Sequence, residues 1–222
     1  GTAADTTAKI IIGSGGLITN GAISITPGLV FGSIATPGEA IIANNNNLVI
    51  GTTANPLTSG QITATSIVKS GDGNMFMDAE QGTFNGNIIL NRGGLFLRAV
   101  QAVSNVGGIG GTIVINGFNS TVGFRGDTSG GNTFNNSLYI APGNALVQIN
   151  VDRAVGTTLT GQLMTMAGNL TFGGAPGDQG QTINFTNANT TSNYNFRVNG
   201  TTDLGPVGNA VFYNQNNSVT LV

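Results

Sequence analysis

The stretch with the most chemical potential in this chain is 69–74, with the sequence KSGDGN. Glycines next to a lysine are typical of phosphate-binding loops, but such a loop ends in Gly-Lys-Ser/Thr and opens a helix. Here the lysine comes first, and the residues after Asn74 (MFM) are typical of a strand. We therefore interpret this stretch as a corner turn in which Gly71 and Gly73 permit the bend, and not as a nucleotide site.

Carboxylates are the second candidate for chemistry, although the chain has only nine acidic residues. Asp78 and Glu80 alternate and could share one face, as a catalytic pair or a single calcium ion would require. Asp152 and Arg153 are adjacent and form a candidate ion pair. We interpret these groups as solvated loop residues or local ion pairs, so we assign no catalytic, cofactor-binding or metal-ligating residue.

A regular calcium-binding β-roll is not expected. Such a roll repeats Gly-Gly-x-Gly-x-Asp, so that aspartates stack from turn to turn. The chain does not repeat this motif, and five of its aspartates stand too far apart for such an array: Asp72, Asp127, Asp152, Asp178 and Asp203.

The residue types that are missing exclude several other functions. The chain has no Cys, His or Trp, so thiol nucleophiles, cysteine-ligated zinc and the Ser-His pair are excluded. Seven Lys and Arg are scattered singly, which argues against a nucleic-acid partner. The apolar runs are too short for a membrane span. We therefore expect a protein that is not an enzyme and needs no cofactor.

The overall composition indicates a folded chain with an uncharged polar surface. Charged residues make up only 7%, whereas 39% are hydrophobic and 36 residues are glycine. An average soluble domain has roughly 25% charged residues, and a disordered chain has fewer branched apolar residues. Because cytosolic proteins usually carry more Lys and Glu, we expect an extracellular or cell-surface location.

Short apolar runs bounded by Gly, Asn or Pro predict many β-strands and no regular helix. Turn dipeptides such as Asn20-Gly21 and Asn116-Gly117 separate them. Strands this short allow a sandwich, an up-and-down barrel or a solenoid. The predicted strands are 9–12, 22–25, 48–50, 61–68, 75–77, 87–90, 95–98, 112–115, 121–124, 137–140, 145–151, 163–166, 169–172, 182–185, 194–198, 210–213 and 218–221.

Internal self-similarity favours the solenoid. The segment NIILNRGGLFLR at 87–98 is similar to SLYIAPGNALVQ at 137–148, about fifty residues later, and TFNG at 83–86 is similar to TFNN at 133–136. We expect one elongated all-β domain over 1–222, a parallel β-helix with its clearest repeat at 67–99 and a weaker copy at about 121–151. At roughly 20–25 residues per rung, such a domain would have about nine or ten rungs.

The clearest repeat resembles the autotransporter-associated β-strand repeat, also called the passenger-associated transport repeat. That pattern has a hydrophobic-Lys-x-Gly-x-Gly start, an aromatic-x-Gly turn and a final strand entered through Gly. The segment 78–81 (DAEQ) departs from it, because the family usually has Gly-Ala-Asn there. The matching residues are Lys69, Gly71, Gly73, Phe84, Gly86, Gly94 and Leu95.

The resemblance implies a right-handed parallel β-helix displayed outside the cell, with no catalytic residues to transfer. The chain has no room for a translocating barrel of ordinary size. We would then expect a released passenger, a fragment, or a protein exported by another route.

These observations lead us to expect a secreted structural building block that assembles head to tail with itself. The segments 8–13 (AKIIIG) and 217–222 (NSVTLV) are β-prone and nearly uncharged, unlike strands that are protected against edge pairing. The first alternative is an adhesin that binds glycan or host protein, with Tyr139, Tyr194 and Tyr213 as the aromatic candidates. A glycan-cleaving β-helix enzyme or phage tailspike, based on Asp78 and Glu80, is the less favoured alternative.

Overall fold

The computed structural model describes residues 8–99, 106–143, 146–154, 158–174, 181–186, 193–205, 210–214 and 220–221. Every regular element in these ranges is a β-strand, which confirms the all-β prediction. The strands are β1 (Lys9–Ile12), β2 (Gly16–Thr19), β3 (Ile23–Ile25), β4 (Gly28–Phe31), β5 (Glu39–Asn44), β6 (Leu48–Ile50), β7 (Ile62–Thr63), β8 (Ser66–Ser70), β9 (Asn74–Met77), β10 (Ile88–Leu90), β11 (Gly94–Ala99), β12 (Thr112–Ile115), β13 (Ser120–Gly126), β14 (Asn132–Phe134), β15 (Ser137–Ile140), β16 (Leu146–Asp152), β17 (Leu163–Met166), β18 (Leu170–Phe172), β19 (Gln181–Thr186), β20 (Asn195–Val198), β21 (Thr202–Asp203), β22 (Ala210–Asn214) and β23 (Thr220–Leu221).

The strands form four sheets in which all paired strands run parallel. Sheet I has the order β1-β4-β7, and sheet IV has the order β14-β17-β20-β23. Sheet II has the order β2-β5-β8-β10-β12-β15-β18-β21, and sheet III has the order β3-β6-β9-β11-β13-β16-β19-β22. The chain thus passes repeatedly from sheet II to sheet III, and returns through sheet I near its start or sheet IV near its end. We call one pass through sheets II and III a rung. This topology is compatible with a parallel β-helix.

The rungs vary in length more than the sequence predicts. Ile88 pairs with Ile113, a step of 25 residues, whereas Leu146 pairs with Thr182, a step of 36 residues. The described residues therefore form eight rungs, where about nine or ten were predicted. Leu90 pairs with Ile115, which pairs with Ile140, so the similar segments fifty residues apart lie two rungs apart in sheet II.

Each of the predicted strands overlaps an observed one, although 61–68 is divided into β7 and β8. Three residues of these predictions, Ala145, Ser218 and Val219, lie outside the described residues. Five strands were not predicted: β2, β4, β5, β14 and β21. β2, β14 and β21 contain at most two apolar residues each, whereas β4 and β5 contain continuous apolar runs.

The core consists of columns of apolar side chains that stack from rung to rung. Parallel in-register pairing places each inward side chain directly on its partner, at a strand spacing of about 4.8 Å. In sheet III one such column is fully buried from Leu48 to Ile149. Its members are Leu48, Met75, Leu95, Val122 and Ile149. Because each inward side chain packs against those directly above and below it, the apolar side chains of one rung are buried only when the neighbouring rungs are in place.

No helix in the described ranges is long and apolar enough to cross a membrane.

Candidate functional site

The lysine of the KSGDGN stretch is a buried structural group. Lys69 lies near the end of β8, and its register partners in sheet II are Ile42 and Leu90. Both partners are core residues, and Lys69 itself has no solvent-exposed surface. The Lys69 side chain therefore points into the core, at a position where the preceding and the following rung each carry an aliphatic residue.

The Lys69 ammonium group is surrounded by backbone carbonyl groups of the corner turns. Nζ donates hydrogen bonds to the carbonyl oxygens of Ser70 (3.2 Å), Gly71 (2.7 Å), Gly73 (2.7 Å) and Arg92 (2.8 Å). We call this arrangement the carbonyl cage. Burial lowers the pKa of Lys69 to about 8, and the nearby charge of Asp72 opposes that shift.

The glycines of this stretch lie at a corner turn, where we predicted a bend. Gly71 has a φ of +81°, in the left-handed region that glycine tolerates best. A Cβ on Gly73 would lie 2.1 Å from the Asn46 carbonyl oxygen of the preceding rung, so that close approach also requires glycine.

The buried role of Lys69 was not predicted from the sequence. The alternation Ile67-Val68-Lys69 was the available signal, since it places Lys69 on the same face as Ile67.

A cleft lies on the outer side of the same corner. Its volume is about 460 Å³, and it is lined by Asp72, Asn91, Arg92, Gly93, Phe118 and Asn119. The side chains of Asp72 and Arg92 form an ion pair and are each 67% exposed. Phe118 is 60% exposed, which makes it one of the most accessible apolar side chains among the described residues. The corner cleft thus combines a flat aromatic surface with charged and amide groups.

The outer face of sheet III carries a stack of aromatic and arginine side chains. The rings of Phe76 and Phe96 stack with centroids 5.0 Å apart. Arg98 Cζ lies 4.5 Å from the Phe76 centroid, and Arg125 Cζ lies 4.4 Å from the Phe96 centroid. Gly123 is the register partner of Phe96 and leaves room for the ring to lie across the sheet. Such cation–π contacts stabilise the outer face because the guanidinium charge is attracted to the negative face of the aromatic ring.

Asp78 belongs to this stack and not to a pair of carboxylates. Its carboxylate accepts hydrogen bonds from Nε and Nη2 of Arg98. Burial raises the pKa of Asp78, and the hydrogen bond and charge of Arg98 oppose that shift. Glu80 lies two residues further along the same loop, where its backbone N–H donates to the Pro56 carbonyl oxygen at 2.6 Å. The Asp78–Arg98 pair borders a groove of about 330 Å³ together with Ser24, Thr26, Val49, Gly51, Thr52 and Thr53.

Asp152 and Arg153, the adjacent charged residues singled out in the sequence, are joined by a hydrogen bond. Asp152 Oδ1 accepts a 2.8 Å hydrogen bond from the backbone N–H of Arg153. The side chain of Arg125 also feels the Asp152 charge, which opposes the lowering of the Arg125 pKa by burial. Asp152 therefore interacts electrostatically with Arg125, its register partner on β13, and also accepts a hydrogen bond from its sequence neighbour Arg153.

The other aspartates that the sequence analysis named do not come together at one site. Asp127 Oδ1 accepts a hydrogen bond from the Ala154 N–H, and Asp203 Oδ1 accepts one from the Gly205 N–H. Asp178 lies outside the described residues. Among the residues that the structure describes, no three Asp or Glu residues come together in a metal-binding group.

The three tyrosines occupy different environments. Tyr194 is fully buried, and its hydroxyl donates a 3.2 Å hydrogen bond to the Gly126 carbonyl oxygen. Burial raises the pKa of Tyr194 to about 12, with smaller contributions from Asp127 and Asp152. Tyr139 is partly buried and Tyr213 is 54% exposed. Tyr194 is thus a core residue and cannot present its ring to a glycan.

Comparison with known proteins gives no relative: no family model, no curated protein and no solved structure matches this chain.

Proposed function

We propose that residues 1–222 form one parallel β-helix that serves as a secreted structural building block and assembles end to end with further copies. The repeated path through the sheets and the resemblance of 67–99 to the autotransporter-associated repeat support the helical fold. The low charge supports a location outside the cell. The assembly itself is carried by a single observation, the way in which the core columns end.

The inward columns end in apolar side chains that are exposed at both edges. At one edge, Ile10 stacks on Leu29 and Ile23 stacks on Leu48, and they are 43% and 38% exposed. At the other edge, Phe212 stacks on Ile183 and is 41% exposed. These residues would be buried if another rung paired with the edge strand.

The two edges are complementary because every ladder is parallel. One edge of sheet III is β3 and the other is β22, and among the described residues no further strand pairs with the outer side of either. A copy placed in the same orientation could pair its β3 with β22 of the preceding copy. Such a heterologous contact does not close on itself, so repeating it produces a filament.

The structure gives little support to an enzymatic role. A glycan-cleaving pair needs two carboxylates that face the substrate. The Asp78 carboxylate is instead bound by Arg98, and its side chain is only 5% exposed. We therefore propose a structural role and assign no catalytic residue.

Electron microscopy and sedimentation velocity of the purified 222-residue chain at micromolar concentrations test the assembly. We expect filaments whose diffraction shows the roughly 4.8 Å strand spacing along their axis. Ile23→Lys should abolish them, because it places a charge on the edge column. Leu57→Lys is the matched control, since Leu57 is 60% exposed and lies outside the strands. Monodisperse monomers of the unmodified chain, or an Ile23→Lys variant that still forms filaments, would contradict the proposal.

A further inference from the structure

The corner cleft is built from three consecutive turns that lie one above the other. The turn at 71–73 contributes Asp72, the next contributes Arg92, and the third contributes Phe118. Backbone hydrogen bonds join these turns: Asn91 N–H donates to Lys69 O at 2.9 Å, and Asn116 N–H donates to Leu90 O at 2.9 Å. The walls of the cleft are therefore extensions of a continuous parallel ladder, which holds them in place without a ligand.

Phe118 is presented to solvent by a tight and well-anchored turn. Gly117 N–H donates to the Leu90 carbonyl oxygen at 3.2 Å, and Thr121 N–H donates to the Gly93 carbonyl oxygen at 3.1 Å. Between these anchors, Asn119 has a φ of 55°, the left-handed conformation that asparagine tolerates better than most residues. The turn thus fixes, from both sides, the backbone that carries the exposed ring.

The floor of the cleft is stiffened from within by the carbonyl cage. Lys69 Nζ bonds to carbonyl oxygens in both of the first two turns, at Gly71 and at Arg92. Asp72 comes directly after Gly71, and Arg92 itself carries the second carbonyl group. The side chains of Asp72 and Arg92 therefore project from two turns that the buried ammonium group joins. A preorganised site loses less conformational entropy on binding than a flexible one.

The polar groups around Phe118 offer both donors and acceptors. Arg92 can only donate, the Asp72 carboxylate can only accept, and Asn91 can do both. Asn91 Oδ1 already accepts a 3.1 Å hydrogen bond from Asn116 Nδ2, so its own Nδ2 is the part left to donate to a ligand. The paired charges of Asp72 and Arg92 offset each other at the rim. A ligand for this cleft needs a flat apolar face and neighbouring groups that both donate and accept.

We propose that the corner cleft is a carbohydrate-binding subsite. A pyranose ring has a face of C–H groups that can pack on the Phe118 ring, and its hydroxyl groups each donate and accept hydrogen bonds. Vicinal hydroxyl groups would lie against Asp72 and Arg92, and a further hydroxyl would accept from Asn91. This inference is independent of end-to-end assembly, because the cleft lies beside middle rungs and uses no edge strand.

Saturation-transfer NMR and titration calorimetry with defined tetrasaccharides test the subsite. The probes are the tetramers of β-1,4-glucose, α-1,4-glucose, β-1,4-N-acetylglucosamine and α-1,4-galacturonic acid, together with a phenylalanine-containing tetrapeptide. We expect saturable binding of at least one tetrasaccharide, with saturation of its ring C–H protons. Phe118→Ala should weaken that binding by about tenfold or more, because the packing surface is removed.

Three further variants separate stacking from general effects. Phe118→Leu keeps an apolar side chain but lacks the flat face, so it should bind nearly as weakly as Phe118→Ala. Arg92→Gln should also weaken binding, and it provides a second test if a Phe118 variant does not fold. Leu57→Ala is the control, because Leu57 is 60% exposed, like Phe118, but lies outside the cleft.

The proposal is overturned if no tetrasaccharide binds saturably, or if Phe118→Ala or Phe118→Leu binds as tightly as the unmodified chain. It is also overturned if only the tetrapeptide binds, since the cleft would then be a peptide site. A loss of binding in Leu57→Ala equal to that in Phe118→Ala would likewise place the ligand elsewhere.

Discussion

Lys69 Nζ donates a 2.8 Å hydrogen bond to the carbonyl oxygen of Arg92, and so joins two consecutive corner turns from inside the fold. The same ammonium bonds to three carbonyl groups of its own turn. Three N–H groups thus serve four acceptors, and no solvent reaches the side chain. A lysine placed in this way acts as an internal cross-link between rungs, which is a structural reason for a Lys-x-Gly-x-Gly opening.

We predict that Lys69→Met destabilises the chain by about 3 kcal/mol at neutral pH. Methionine fills a similar volume but cannot donate, so buried carbonyl groups lose their partner. Urea denaturation followed by far-ultraviolet circular dichroism measures the change. Lys9→Met is the control, because Lys9 is exposed on the edge strand β1. A Lys69→Met variant as stable as the Lys9→Met variant would show that the cage contributes no net stability.

Stability should pass through a maximum at alkaline pH. Burial lowers the pKa of Lys69 from 10.5 to about 8. Between these values the unfolded chain holds a proton that the folded chain has lost, so the free energy of unfolding rises with pH. Burial raises the pKa of Tyr194 from 10.0 to about 12. Between pH 10.0 and about 12, the folded chain keeps the Tyr194 proton that the unfolded chain loses, so the free energy of unfolding falls as the pH rises.

Urea titrations between neutral pH and about pH 12 measure this profile. Lys69→Met should remove the rise above about pH 8 and leave the fall, whereas Tyr194→Phe should remove the fall and leave the rise. A profile that declines steadily from neutral pH, or one that neither substitution changes, would contradict the assignment of these two groups.

Much of the fold follows from local patterns. β8 and β12 each contain a short run of branched apolar residues beside turn residues, and both were predicted (β8 as part of 61–68) because such bounded runs are readable in sequence. β5 was not predicted although its four apolar residues between Glu39 and Asn44 are continuous, and two of the four are alanine, which is depleted in strands. What makes it a strand is pairing with β2 and β8, which no local pattern contains.

The candidate sites were less predictable, because they depend on which turns stack. From sequence, Asp78 was interpreted as a solvated loop residue or a member of a local ion pair that could share a face with Glu80, whereas in the structure it pairs with Arg98 of the following rung. Phe118 and Asp72 are 46 positions apart, and they line the same cleft only because the intervening rung has a particular length. Rung length varies from one rung to the next, so contacts across rungs cannot be assigned from spacing alone.

Gly123→Ala should destabilise the chain by about 1–3 kcal/mol through overpacking. A Cβ at this position would lie 2.1 Å from Phe96 Cδ1, so the ring would have to leave its place between Phe76 and Arg125. Chemical denaturation measures the loss, with Gly82→Ala as the control, since its Cβ would meet nothing within 4 Å. In a Phe96→Ala background the substitution should have little effect. Equal losses with and without the Phe96 ring would rule out this explanation.

The Asp78–Arg98 pair should show a larger coupling than the exposed pair of Asp72 and Arg92. Side-chain exposure is 5% and 16% in the first pair and 67% for both members of the second. A double-mutant cycle with alanine at Asp78 and Arg98 should therefore give a coupling free energy of about 1–3 kcal/mol. The Asp72 and Arg92 cycle, measured in the same buffer, should give about 0–1 kcal/mol. Added salt should reduce the second coupling more than the first, because water and ions reach only the exposed pair. Equal couplings with equal salt dependence would mean that burial on sheet III does not strengthen the pair.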